Sequence, residues 1–188
     1  MSSVKFGYMG IPFSNTEEMS HIFCKQMGIE DAEFVPLMCA ADTVSELLKG
    51  NVDYGVLATR NKFAGEVAES ANALRGHDEI EIVETGWIPI HHCVFLKNEG
   101  AEVKKIVSHI QAILQSDNSL RELYPDAERE ECEDTAYAAE MLANGTLPDY
   151  CAAVCRKDAG EHYGLYLAHE NIEDNKENMT QFSLIRLK

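Results

Sequence analysis

Tyr54-Gly-Val-Leu-Ala58 is an apolar run of strand length, and the polar and basic Thr59-Arg-Asn-Lys62 follows it at once. Ahead of it, Asp42 caps a helix through Leu47 and Leu48 that Gly50 ends, and Glu33-Phe-Val-Pro-Leu37 reads as a short strand. Further upstream, Thr16 with Glu17 and Glu18 caps an amphipathic helix carrying Met19, Ile22, Phe23 and Met27, and Gly28 closes it. Val4 to Met9 reads as the first strand, ended by Gly10-Ile-Pro12. Beyond Lys62, Gly65 to Leu74 reads as a helix with Val67, Ala71 and Leu74 on one side. Strand and helix alternate with short links, which predicts an α/β domain with a largely parallel sheet.

A second block follows Arg75-Gly-His-Asp78. Glu79 to Trp87 alternates as a strand does, and Ile88 to Leu96 continues as apolar sequence broken by Pro89. Ile106-Val-Ser108 reads as a short strand feeding a helix from His109 to about Asn118. Asp134 to Ala143 reads as a helix closed by Asn144-Gly145, and Tyr150 to Cys155 and Leu165 to Ala168 as strands. The polar stretch Glu170 to Asn178 returns the chain to a last strand, Met179 to Leu187.

The 188 residues are 45% hydrophobic, enough for one sizeable core or two small lobes. No apolar run approaches the ~20 residues of a membrane helix, and no signal-peptide stretch opens the chain, so a cytoplasmic protein with no membrane partner is expected. The net charge is −16, from 32 acidic and 16 basic residues. Phosphate backbones need a basic surface, so no nucleic-acid partner is expected. The six cysteines are scattered and read as reduced structural thiols. Cys151-Ala-Ala-Val-Cys155 lacks the usual zinc or redox spacing. His91-His92-Cys93 could suggest a metal site, but neighbours on a strand point to opposite faces, so no metal is expected.

In open α/β sheets, ligands bind beyond the carboxyl ends of strands, near helix N-termini, where N–H groups and the helix dipole favour anions. Four segments place polar side chains at such points: Gly10 to Thr16, Thr59 to Lys62, Ser108-His109 and Asp134-Thr135. Taken one at a time these are ordinary caps and solvated charges. Together they point to a small anionic ligand.

Read together, these segments resemble the catalytic domain of prephenate dehydratases, from about Val4 to Ile185. The motif Ala-Tyr-Gln-Gly-Val-Pro corresponds to Gly7-Tyr8-Met9-Gly10-Ile11-Pro12. Asp53-Tyr54-Gly55-Val56-Leu57-Ala58-Thr59-Arg60-Asn61-Lys62, with Gly65-Glu66-Val67, matches the family's Gly-Val-Val-Pro-x-Glu-Asn-Ser segment. Ser108-His109-Ile110-Gln111, with Gln115 and Ser116, matches its Ser-His-Pro-Gln segment. Asp134-Thr135-Ala136-Tyr137-Ala138-Ala139 and Ile172-Glu173-Asp174 with Asn178-Met179-Thr180-Gln181-Phe182 complete the set.

The resemblance implies a two-lobed α/β fold of the type II periplasmic-binding-protein kind with a central cleft. Its first lobe would span about residues 1–75 and 172–188, and its second about 76–171. A regulatory phenylalanine-binding ACT domain is not expected within the chain. The implied activity is a carbon–oxygen lyase of L-phenylalanine biosynthesis. It converts prephenate, or arogenate, to phenylpyruvate, or phenylalanine, with loss of water and CO2 and with no cofactor. By motif position Thr180 is the candidate donor to the leaving hydroxyl, with Asn61, Ser108 and Gln115 as further catalytic positions. Thr135, Gln181, Phe182, Arg60, Lys62 and Tyr8 would bind substrate. Family members commonly assemble as homodimers or larger homo-oligomers.

The chain departs from the pattern at Gln181, where the family has Arg, and at Arg60 and Lys62, where it has Glu and Ser. Arg is the natural bidentate partner of a carboxylate, and losing such a bond costs about 1.5–3 kcal/mol. Either Arg60 or Lys62 takes over the role of that Arg, or the chain binds an aromatic or cyclic acid without dehydrating it. A non-aromatising prephenate decarboxylase is a third alternative.

Overall fold

The computed structural model describes residues 3–188. The chain forms two compact units, residues 1–90 with 179–188 and residues 91–178.

In the first unit, β1 (Val4–Tyr8), α1 (Asn15–Gln26), β2 (Ala32–Pro36), α2 (Ala40–Leu48) and β3 (Tyr54–Asn61) alternate as the sequence predicts. β4 (Gly65–Glu66), α3 (Ala68–Leu74) and β5 (Ile80–Pro89) follow, and β11 (Met179–Leu187) comes from the end of the chain. The strand order is β2-β1-β3-β11-β5, with β4 beside β3. β1 pairs in parallel with β2 and β3, whereas β11 runs antiparallel to β3 and β5. The sheet is therefore mixed rather than largely parallel. One face buries Phe6, Val56, Phe182 and Leu184 against Met19 and Phe23 of α1. The other buries Leu57 and Ile185 against Ala40, Val44 and Leu47 of α2.

In the second unit, β6 (Cys93–Leu96), β7 (Lys105–Ser108), α4 (Ile110–Gln115), α5 (Asp117–Leu123) and β8 (Glu128–Glu131) come first. α6 (Thr135–Ala143), β9 (Cys151–Cys155), α7 (Lys157–His162) and β10 (Tyr166–His169) follow. The sheet order is β10-β6-β9-β7-β8. β9 supplies five buried residues to its middle, and Val94, Leu96, Ile106, Ala152 and Val154 pack with Ala112, Leu120 and Ile172.

The first unit runs to Ile90, well past residue 75, because β5 is zipped to β11 from Ile80–Leu187 to Pro89–Met179. The cap of α1 is Ser14, whose hydroxyl accepts from the Glu17 N–H at 3.2 Å, rather than Thr16. The cap of α2 is Cys39, with Asp42 in its first turn. The expected helix from His109 to Asn118 is two helices. Ser116 breaks it, and the Asp174 carboxylate caps α5 by accepting from the N–H groups of Asn118 at 3.0 Å and Ser119 at 2.9 Å. Among the described residues no helix is long and apolar enough to cross a membrane.

Candidate functional site

The motif Thr59-Arg60-Asn61 lies inside β3 rather than in a loop after it. That places its side chains by strand alternation and by register with β11. Thr180 stands opposite Asn61, and Gln181 opposite Arg60. On β5, Ile88 stands opposite Thr180 and Trp87 opposite Gln181. On β4, Gly65 stands opposite Asn61 and Glu66 opposite Arg60. Neighbours along a strand point to opposite faces, and residues directly opposite share a face. One face therefore carries Ile88, Thr180 and Asn61, and the other carries Trp87, Gln181, Arg60 and Glu66.

Asn61 is almost fully buried and fixed through both ends of its amide. Its Oδ1 accepts from the N–H groups of Phe63 and Ala64, each at 3.0 Å, which shapes the turn into β4. Its Nδ2 donates to the Met179 carbonyl and to the Thr180 hydroxyl oxygen, each at 3.1 Å. Thr180 Oγ1 is therefore an acceptor toward Asn61, and its own proton is free to go elsewhere. Accepting a hydrogen bond strengthens a hydroxyl as a donor. The half-buried Thr180 is thus a poised O–H donor held by its cross-strand partner.

The other residues expected in this unit are placed differently. Tyr8 lies in the core at 1% exposure, and its hydroxyl donates to Glu17 Oε1 at 3.0 Å. Phe182 shares the Thr180 face but is covered by α1, also at 1% exposure. Both read as ligand contacts in the sequence because they sit in motifs, and both are held inside by the packing of α1. Lys62 is exposed, donates its backbone N–H to the Met179 carbonyl at 2.9 Å, and sets its ammonium over the Phe63 ring. Arg60 is exposed, and Gln181 is half-buried across the ladder from it.

In the second unit, Ser108 is fully buried and its hydroxyl donates to the Val154 carbonyl at 2.5 Å. That proton serves the sheet. Thr135 opens α6, and Asp134 caps the helix by accepting from the Ala136 N–H at 2.7 Å. Burial raises the Asp134 carboxyl above its ordinary value, against the hydrogen bonds it accepts. Thr135 is half-buried.

Gln115, at the end of α4, belongs to a cluster that motif reading only partly exposed. Its Oε1 accepts from His92 Nε2 and from Asn178 Nδ2, each at 2.9 Å. The segment Ile172 to Asp174 braces both residues. The Ile172 N–H donates to the His92 carbonyl and the Asp174 N–H to the Gln115 carbonyl, each at 2.8 Å. The Glu173 carboxylate, 1% exposed, accepts from the His92 N–H at 3.0 Å and pairs with His91 Nδ1 at 2.9 Å. Burial opposes its charge, yet these bonds hold the carboxyl below its ordinary value. His91 and His92 thus point to different partners. Burial pushes up the Cys155 thiol, and pushes Cys132 up to about 11, so both are poor nucleophiles.

Residues 6–188 match the sequence model of the prephenate dehydratase family. The chain belongs to that family. It is 36% identical over 136 residues to arogenate dehydratase 5, chloroplastic, of Arabidopsis thaliana, covering 71% of this chain and 31% of the relative. It is 30% identical over 145 residues to the prephenate dehydratase of Lactococcus lactis, covering 77% of this chain and 51% of the relative. The chain thus spans from about a third to half the length of these relatives. The crystal structure of the prephenate dehydratase from Arthrobacter aurescens in complex with L-Phe superposes with a TM-score of 0.85 at 25% identity. The superposition covers 98% of this chain and 61% of that one. The Staphylococcus aureus prephenate dehydratase superposes at 0.69 over 97% of this chain and 67% of that one, at 19% identity.

Proposed function

We propose that this prephenate dehydratase family chain is a lyase acting on prephenate or arogenate. The observation that carries the reading is the Thr180 hydroxyl, which accepts from Asn61 and keeps its proton free. In the reaction the ring carboxylate leaves as CO2. The electrons of its C–C bond flow into the ring and expel the C4 hydroxyl, which takes up a proton and departs as water. Thr180 donates to that hydroxyl as it leaves, a general-acid role. A Thr hydroxyl is a weak acid by itself, and the Asn61 bond in a partly dry setting assists it. By motif position Gln115 carries over as a catalytic position that meets the substrate, and Thr135 as a substrate-binding residue.

The altered Gln181 weighs little against this reading. It shares a face with Arg60 and not with Thr180. A homodimer or larger assembly follows from the family resemblance. Six free cysteines suit a reducing compartment such as the cytoplasm. The purified protein, incubated with prephenate and followed by the alkaline absorbance of phenylpyruvate, tests the activity, with arogenate and phenylalanine release as the second arm. No product from either substrate at high enzyme concentration overturns it. Thermal stabilisation by cyclic acids without turnover would then favour a binding protein.

A further inference from the structure

A glutamine can meet a ligand with either end of its amide, and the two ends have opposite polarity. Gln115 is held by one end only. His92 Nε2 and Asn178 Nδ2 both reach its Oε1 at 2.9 Å. The Asn178 amide nitrogen is a donor, so Gln115 must offer its carbonyl there, and His92 must then carry its proton on Nε2. The reversed amide would set NH2 against NH2 and leave two donors facing each other. The Gln115 NH2 donates to no described residue, and Gln115 is half-buried.

His92 can hold this pose only in one form. It is 3% exposed, and its Nδ1 is buried without a hydrogen-bond partner among the described residues. A proton on Nδ1 would be a buried donor with no acceptor. The groups that bear on the ring are Gln115, the Glu173 carboxylate, His91 and His109. Glu173 is already engaged by His91 and by the His92 backbone N–H. Its carboxylate fixes the main chain of His92 rather than the ring.

We propose that His92, as the neutral Nε2–H tautomer, and Asn178 are positioning residues that fix the polarity of Gln115. They turn its NH2 toward the ligand, so that this position accepts only an oxygen acceptor, a carboxylate or carbonyl oxygen of a small acid. This deepens the proposed function, on which the identity of the acid rests. The polarity of Gln115 itself does not depend on turnover.

Two experiments test it, one of them without substrate. Long-range proton–nitrogen NMR of the wild-type protein should show the His92 ring as Nε2–H, with Nδ1 unprotonated, throughout pH 6 to 8. An Nδ1–H tautomer or an imidazolium at pH 7 overturns the proposal even in an active enzyme. In steady-state kinetics, His92→Gln keeps an N–H donor to Gln115 and should leave KM within about threefold of wild type. His92→Leu should raise KM about tenfold or more, with a smaller change in kcat, as expected on loss of a bond to a charged acceptor. Asn178→Asp should raise KM at least as much, because a carboxylate beside Oε1 turns the amide over. Equal KM values for His92→Gln and His92→Leu, both folded by circular dichroism, overturn it. If the wild type turns over neither acid, only the functional reading fails, and the NMR result still decides the tautomer.

Discussion

Gln181 stands directly across the β3–β11 ladder from Arg60, one residue along from the pairing of Thr180 with Asn61. The two departures from the family motifs, Gln for Arg and Arg for Glu, therefore meet each other on one sheet face. Glu66 flanks Arg60 on the far side and Trp87 flanks Gln181. In this chain the ladder sets a cation opposite a neutral amide.

Restoring the motif at residue 181 alone should therefore not raise turnover. Gln181→Arg sets two guanidinium groups opposite each other, and like charges in that geometry cost about 0.2–1 kcal/mol. We expect a slightly lower melting point and no gain in turnover. The double variant Arg60→Glu with Gln181→Arg should recover the loss, with a favourable coupling in a double-mutant cycle. A Gln181→Arg enzyme with severalfold higher kcat/KM would place residue 181 at the substrate instead.

The Asn61–Thr180 bond makes a second prediction. Thr180→Val removes the donor at nearly constant volume and should cut kcat by about 10²–10⁴, the usual range for a lost general acid. Thr180→Ser should keep most of the rate. Asn61→Asp reverses the bond, because a carboxylate accepts the Thr180 proton and withdraws it from the substrate. It should approach the Thr180→Val rate with KM little changed. Initial rates from all three, with melting points as a control on folding, check this.

Most of this architecture was legible in the sequence. β1, β2, β9, α6 and β11 fall where apolar runs and caps put them. β8 was missed because Glu-Arg-Glu-Glu shows no apolar alternation, as befits an edge strand pairing only with β7. The helix break at Ser116 was not legible because its cause, Asp174, lies 58 residues away in the chain. The motifs named Asn61 and Thr180 separately, and the β3–β11 register that pairs them was not legible in either motif. The polarity of Gln115 was not, since it depends on His92, whose partner no local pattern reveals. The burial of Tyr8 and Phe182 was not legible because a motif position says nothing about which helix covers it.

The buried His92 makes folding depend on pH. Burial holds its folded pKa below the ordinary 6.5, against the pull of Gln115 and Glu173. Below 6.5 the unfolded chain binds a proton there that the folded protein refuses. Stability therefore falls as pH drops below about 6.5, and levels off once pH passes the folded value. Glu173, also held below its ordinary value, works in the same direction, but its stabilisation is lost only below its ordinary 4.5. Between pH 7.5 and 5 the two effects separate. Urea midpoints should fall more steeply for wild type than for His92→Gln, and Asp134, common to both, cancels in the comparison. Parallel curves would show that His92 takes up its proton in the folded state as freely as in the unfolded one.

Two glycines separate cheap from costly packing changes. A Cβ on Gly86 would lie 2.1 Å from Cε of Met19, the free end of a flexible side chain. A Cβ on Gly160 would lie 2.4 Å from three ring carbons of Phe95, which is wholly buried. Methionine can swing its terminal methyl aside, whereas a buried ring moves only with its neighbours. Gly160→Ala should therefore cost about 1–3 kcal/mol through overpacking, and Gly86→Ala distinctly less. The loss should show as faster amide exchange in β6, which carries Phe95, and in β9, which pairs with it, with β3 and β11 unchanged. Equal losses from the two variants would mean that the Met19 methyl is as tightly held as the Phe95 ring.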